Sequence, residues 1–195
     1  MDKVLQALLM TDYAAYCAYV HHGTWKATPV HAYLCMIVQN FIGADTGHAY
    51  DILVLSTPPQ IGKSVTVTET LPSWLMGRNP ESRIIEISYS EDFAKRFGRR
   101  NKQKIEEFGN DIFGIQIGDP NTNLDFELKG HRGGMISRGA LSGVTGKSAD
   151  YMIIDDPVKN REEADSETQR DKLWDEWQNS YKTRFQAHTK VILIK

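Results

Sequence analysis

No stretch of this chain approaches the roughly 20 apolar residues that a membrane-spanning helix requires. Its opening Met1-Asp2-Lys3 has neither the basic flank nor the apolar stretch of a secretory leader. No membrane partner is therefore expected. Cysteine is nearly absent: Cys17 and Cys35 are the only two, both in apolar, helix-like segments. That usage excludes a disulfide framework and reads as reduced, buried thiols. No Cys and His cluster has the spacing of a zinc site. Basic residues are not in excess either. The formal net charge is −2, so the chain as a whole is not a basic nucleic-acid binder, and any contact with DNA must come from a local patch. Internal repeats and low-complexity segments are missing too. What is present, 195 residues with 41% hydrophobic and 25% charged content, suffices for one sizeable domain with a full core.

The apolar spacing in the first fifty residues is helical. Val4, Leu5, Leu8 and Leu9 run on through Asp12–Tyr19 as one amphipathic helix, ended by Gly23. Thr28-Pro29 reads as the cap and first residue of a second helix. Val30, Leu34, Ile37 and Phe41 form its core stripe, and Gly43 closes it. Trp25 and His31 flank its start; they either edge an adenine pocket or pack, respectively, in the core and against solvent. Further on, Ile84-Ile85-Glu86-Ile87 is a strand, and Glu91–Phe108 is a helix. Around that helix lie Lys95, Arg96, Arg99, Arg100, Lys102 and Lys104, six basic residues within ten positions. This patch either touches a phosphate backbone or is a solvated face. Residues 110–123 read as irregular. Leu124–Leu128 and Gly134–Ser137 form a hairpin around the turn Lys129–Gly133. Gly139–Ser148 reads as a mobile glycine-rich loop. Asn160 with Glu163 caps a long helix whose stripe is Leu173, Trp177, Tyr181 and Phe185, and Val191–Ile194 is a last strand. Strands alternating with helices predict an α/β fold, a mostly parallel sheet with helices on both faces.

Two motifs carry chemistry. Between the apolar run Ile52–Leu55 and Val65–Leu71, read as the first turns of a helix, stands Thr57-Pro58-Pro59-Gln60-Ile61-Gly62-Lys63-Ser64. Strand, tight turn, Gly-Lys-Ser and helix make a phosphate-binding loop. A glycine lets backbone approach a phosphate; Lys63 would reach the β- and γ-phosphates of ATP, and the Ser64 hydroxyl would ligate Mg²⁺. Pro59, Gln60, Ile61 and Gly62 complete the nucleotide-binding set. The second motif is the apolar strand Tyr151–Ile154 ending in Asp155-Asp156-Pro157. Asp155 would hold Mg²⁺, and Asp156 would orient or deprotonate the attacking water. Both lie where open α/β sheets bind ligands, at the carboxyl ends of strands.

These segments, together with Ile-Ser-Tyr-Ser (87–90), Phe-Gly-Arg-Arg (97–100) and the long block from Gly143 to Pro157, resemble the large terminase subunit of tailed bacteriophages. The likeness runs from about Trp25 onward. It implies an ASCE-type, RecA-like P-loop ATPase core over 51–195, with the helical segment 1–50 edging the nucleotide site. It implies ATP hydrolysis that drives viral double-stranded DNA into a procapsid, in the host cytoplasm and not in the mature virion. The partners implied are a portal protein, a small terminase subunit and further copies in a ring, with a monomer in isolation. The resemblance also implies a C-terminal nuclease domain and a coupling motif in the full-length protein; neither follows here, so the chain is expected to be a fragment of a longer protein. Two positions depart from the family pattern. Gln60 stands where members often carry arginine, and Asp156 where a glutamate is usual. A stabilising cation must then come from elsewhere, and Arg138 and Lys147, flanking the glycine-rich segment, are the candidates for a finger supplied by a neighbouring subunit. The rival readings are a helicase-type DNA-dependent ATPase and a nucleotide-binding assembly module without significant turnover.

Overall fold

The computed structural model describes residues 1–144 and 146–195. Three helices, α1 (Lys3–Thr11), α2 (Tyr13–Val20) and α3 (Pro29–Gly43), precede strand β1 (Tyr50–Leu55). Then come α4 (Lys63–Thr66), α5 (Leu71–Arg78), β2 (Arg83–Ser88), α6 (Glu91–Lys104) and α7 (Asn110–Phe113). Strands β3 (Ile117–Asn121), β4 (Asp125–Leu128), β5 (Gly134–Gly139) and β6 (Ala149–Asp155) follow, and α8 (Arg161–Asp165), α9 (Glu167–Glu176) and β7 (Phe185–Ile194) end the chain. The strands form one sheet in the order β1-β7-β6-β2-β5-β4-β3. The first five in that order are parallel, and β4 and β3 extend the sheet antiparallel. The expected α/β class, mostly parallel with helices on both faces, is the fold observed. Among the described residues no helix is long and apolar enough to cross a membrane.

Strand side chains alternate between faces, and the two faces bury different cores. Leu55, Ile192, Ile194, Ile153, Ile84 and Met135 meet Leu9, Tyr13, Tyr16, Leu34, Leu71 and Trp74 on what we call the inner face. Ile85, Ile87, Met152, Ile154 and Val191 meet Ala140, Val144 and Tyr181 on the outer face. The N-terminal helices are thus part of the inner-face core. Trp74 Nε1 donates to the Leu9 carbonyl at 3.0 Å and links α1 to α5.

Several local expectations change. The first helix is two helices, because Asp12 leaves the helical region (φ −116°, ψ 111°) and caps α2 through Ala15 N at 2.8 Å. A side chain that competes for backbone donors favours a cap over a helix interior. Thr28 caps α3 as expected, accepting from His31 N. The stripe of α3 is rotated, however: Leu34, Cys35 and Val38 are buried and Val30 is 52% exposed. Residues 110–123 hold α7 and β3 and not irregular chain. Asn160 does accept from Glu163 N at 2.9 Å, but the long helix is broken at Ser166 and ends in a π turn at Trp177–Tyr181. The glycine-rich segment after β5 is not a free loop. It crosses the outer face, with Ala140 and Val144 buried and the Val144 amide donating to Ser180 Oγ at 2.9 Å. Thr145, inside the block from Gly143 to Pro157, lies outside the described residues.

The inner face holds one polar row. Glu86 and Ser88 on β2, Ser137 on β5 and Asp155 on β6 are all at most 3% exposed. Ser88 Oγ donates to Glu86 Oε1. The second Glu86 oxygen and Ser137 Oγ, on paired residues, have no hydrogen-bond partner among the described residues. A proton on Glu86 satisfies both, since a protonated carboxyl is a donor. Burial pushes the Glu86 carboxyl up to about 8, opposed by its two serine neighbours and helped by the charge of Asp155. A folded-state value above the unfolded one means that this group's contribution to stability is complete below about 4.5 and is lost as pH rises through about 8. Glu86→Gln keeps the donor and removes the titration. Between pH 5 and 8 the variant should lose less stability than the wild type by on the order of 3 kcal/mol. Denaturant unfolding at the two pH values measures this, and equal losses would show that Glu86 is already ionised in the fold.

Candidate functional site

Parallel register aligns Leu55, Ile194, Asp155, Ser88 and Gly139 in one row across β1, β7, β6, β2 and β5. The chain leaves β1 at this row into the loop 56–62, and leaves β6 at the same level into Asp156-Pro157. One strand, β7, separates the two exits, about 10 Å at the usual strand spacing. Backbone bonds close the edge: Asp156 N donates to the Ile194 carbonyl at 3.0 Å, Lys195 N to Leu55 at 3.0 Å, and Thr57 N to Lys195 at 3.3 Å.

Within the loop, Gln60 and Gly62 turn the chain with positive φ of 63° and 82°. Gly62 has a second constraint: a Cβ there would lie 2.7 Å from His31 Nε2. The His31 ring, held at Nδ1 by Thr28 Oγ1 at 2.8 Å, therefore packs directly against the loop glycine. Pro59 and Gln60 are exposed, and Ile61, Lys63 and Ser64 are half-buried.

Lys63 Nζ lies 3.4 Å from Asp156 Oδ2, with the lysine side chain 12% exposed and the carboxylate 49%. Asp156 has φ 42°, the left-handed region that Asp enters more readily than most residues. Asp155 is the buried member of the pair. Its Oδ2 accepts from Thr68 Oγ1 at 2.7 Å, and its Oδ1 has no hydrogen-bond partner among the described residues. Burial raises its pKa, opposed by the Thr68 and Ser64 hydroxyls and then by Lys63. Among the described residues no group of three or more His, Cys, Asp or Glu side chains is placed to hold a metal. A cation here would therefore draw on one buried carboxylate oxygen, one hydroxyl, and oxygens from ligand and water. That donor set suits Mg²⁺, which keeps several waters and takes one or two protein carboxylates. The unpartnered Asp155 oxygen, with the Ser64 hydroxyl beside the same carboxyl, fits such an ion.

Other expected site residues fall elsewhere. Trp25 is buried, and its Nε1 donates to Thr66 Oγ1 at 3.0 Å. It supports α4 from below and offers no edge to an adenine. Arg138 is on β5 one position before the row, so the pleat turns it to the outer face, away from Asp155. Its guanidinium donates to the carbonyls of Ser137 at 2.9 Å and Leu124 at 3.2 Å. Lys147 stands at the opposite end of β6, about 20 Å below Asp155 by strand rise. It pairs with Asp125 at 2.8 Å and Glu127 at 2.9 Å. Both were candidates for a finger reaching a neighbouring subunit's site, and neither side chain meets Asp155 or Asp156 within this chain. The basic helix also narrows. Lys95, Arg96, Arg99 and Arg100 are exposed, but Lys104 is buried, and burial lowers it to about 8. Sequence reasoning missed Thr68, the one side chain bonded to Asp155. Its signal was the alternation Val65-Thr66-Val67-Thr68-Glu69-Thr70, which is poor helix sequence.

A family model described as "Terminase large subunit, T4likevirus-type, N-terminal" matches residues 54–194. The crystal structure of the HK97 bacteriophage large terminase superposes with a TM-score of 0.58 at 11% identity, covering 100% of this chain and 38% of that one. At that identity the likeness speaks to fold alone, and this chain spans less than two-fifths of the length of that protein. No curated protein matches the sequence.

An anion that recruits Lys63 must break its pair with Asp156. That pair is half-exposed, so its strength is of the order of 0.2–1 kcal/mol. Asp156→Asn should therefore raise affinity for a nucleoside triphosphate by roughly two- to fivefold, as read by calorimetric titration. Affinity that is unchanged or lower would mean that the pair does not compete with phosphate.

Proposed function

The chain belongs to the terminase large-subunit family, and from that premise we propose that it is the ATPase domain of a viral DNA-packaging motor. It would hydrolyse ATP to move double-stranded DNA into a procapsid. The observation that carries this reading is the meeting of Lys63, Ser64, Asp155 and Asp156 at one sheet edge, with the buried Asp155 oxygen left free. Lys63 binds the β- and γ-phosphates. Ser64 and Asp155 hold Mg²⁺, which when bound offsets phosphate charge. Asp156, half-exposed beside Lys63, takes or orients the proton of the attacking water. His31, against Gly62, supports the loop and is the remaining candidate from the N-terminal segment for contact with nucleotide. The exposed cations of α6 form the surface offered to a DNA backbone. Portal, small subunit and further copies of the chain are the proposed partners, at the procapsid in the host cytoplasm.

A trans-acting cation is proposed from Arg138 alone, because Lys147 is committed to two carboxylates. Phosphate release measured against protein concentration tests the reading. The wild type should turn over slowly when dilute and faster per molecule when concentrated. Lys63→Ala should lose at least tenfold in ATP affinity. Asp156→Asn should bind ATP without turnover, and Arg138→Ala should bind ATP but lose the concentration dependence, to which an arginine finger can contribute about 10³–10⁵ in rate. Normal hydrolysis by Asp156→Asn would overturn the assignment of roles, and a fast, concentration-independent wild type would remove the trans-acting cation.

A further inference from the structure

Between α4 and α5 the chain forms no regular helix. In this stretch three threonine hydroxyls each hold a different element. Thr66 Oγ1 accepts from Trp25 Nε1 at 3.0 Å. Thr70 Oγ1 donates to the Val65 carbonyl at 2.7 Å and meets His21 Nε2 at 2.8 Å. Thr68 Oγ1 donates to Asp155 Oδ2 at 2.7 Å. The carbonyl of Thr68 in turn accepts from Asn101 Nδ2 at 2.8 Å, and Asn101 Oδ1 accepts from Ser73 N at 3.1 Å. Thr68, Asn101 and Ser73 are fully buried. The result is a continuous relay from α6 through Asn101 and Thr68 to Asp155. A second tie, Arg96 to Glu69 at 2.9 Å, fastens α6 to the same segment.

The relay has a chemical consequence. A buried carboxylate with one oxygen bonded and the other unpaired is costly unless something fills the free position. With Oδ2 taken by Thr68, Oδ1 is left without a hydrogen-bond partner among the described residues and free for a ligand, with the Ser64 hydroxyl beside the same carboxyl. The Thr68 bond to Oδ2 is the contact that sets the two oxygens apart.

We propose that Thr68 and Asn101 are positioning residues of the phosphoryl-transfer site: Thr68 fixes which oxygen of Asp155 faces the cation, and Asn101 holds Thr68 in place from α6. This rests on the reading of Ser64 and Asp155 as Mg²⁺ ligands. The test is Mg²⁺ titration of binding to a fluorescent ATP analogue, with a parallel titration in excess chelator. Thr68→Val keeps the shape and removes the donor. It should raise the Mg²⁺ concentration for half-maximal binding at least fivefold and leave metal-free affinity within twofold of wild type. Thr68→Ser should restore the wild-type titration. Asn101→Ala should shift it in the same direction by a smaller factor. Should Thr68→Val fail to fold by circular dichroism, Thr68→Ala removes the same hydroxyl in less space and carries the same expectation.

An unchanged Mg²⁺ dependence in the folded variant would overturn the proposal. So would an equal loss with and without metal, the mark of a merely structural residue. No shift in Asn101→Ala would remove Asn101 from it. A wild type with no Mg²⁺-dependent nucleotide binding would bring down the underlying reading as well, which separates the two failures.

Discussion

The burial of Asp155 is the constraint on which the edge of this sheet depends. A carboxylate placed in an apolar sheet face must be supplied with donors or counter-charge, because its desolvation is otherwise unopposed. Here one oxygen is met by Thr68, and Lys63 and Ser64 lie close to the same carboxyl. The supply comes from elements far apart in sequence, so the loop after β1, the broken helix after it and β6 must all be seated before the site exists. The neighbouring acid Glu86 solves the same problem differently. It has serine partners and no cation, and burial favours its neutral form. Burial raises both carboxyls of this polar row; Asp155 is opposed by two hydroxyls and Lys63, and Glu86 by two serine hydroxyls alone.

The interrupted helix follows from the same requirement. A helix α4 continued regularly past Thr66 would carry its side chains around a cylinder. The chain instead places Thr66, Thr68 and Thr70 against Trp25, Asp155 and His21, the first two bonds in the interior and the third partly buried. Threonine suits this because its hydroxyl competes with helical backbone bonds and its branched Cβ weakens the helix. Pro72 then sits in the first turn of α5, where its missing N–H costs nothing. Here the proline begins a helix.

Much of the fold was legible because hydrophobic periodicity and terminal signals are local. The strands at 52–55, 84–87, 151–154 and 191–194, the hairpin around Lys129–Gly133 and the caps at Thr28 and Asn160 all rest on residues within one turn of one another. What was not legible is position in space, which position along the chain does not give. Lys147 and Arg138 are near Asp155 in sequence, yet a seven-residue strand and the pleat of β5 put them at another edge and on another face. For Trp25 the sequence left open an adenine-pocket edge or the core, and the structure gives the core, its indole bonded to Thr66 of α4.

By itself the sequence determined the class of fold and the identity of the two chemical segments. Gly62-Lys63-Ser64 after one apolar strand and Asp155-Asp156 after another are short-range patterns whose meaning lies in residue type and spacing. It also contains no apolar run of the length that a membrane-spanning helix requires, and its formal net charge is −2. Tertiary structure alone decided the rest. Strand order placed β7 between the two segments and set them in one row. Packing chose which carboxylate is buried and which meets Lys63, and it joined Thr68 to Asp155, 87 positions away, and Asn101 to Thr68, 33 positions away. These are properties of desolvation and long-range contact, and no local window of sequence contains either.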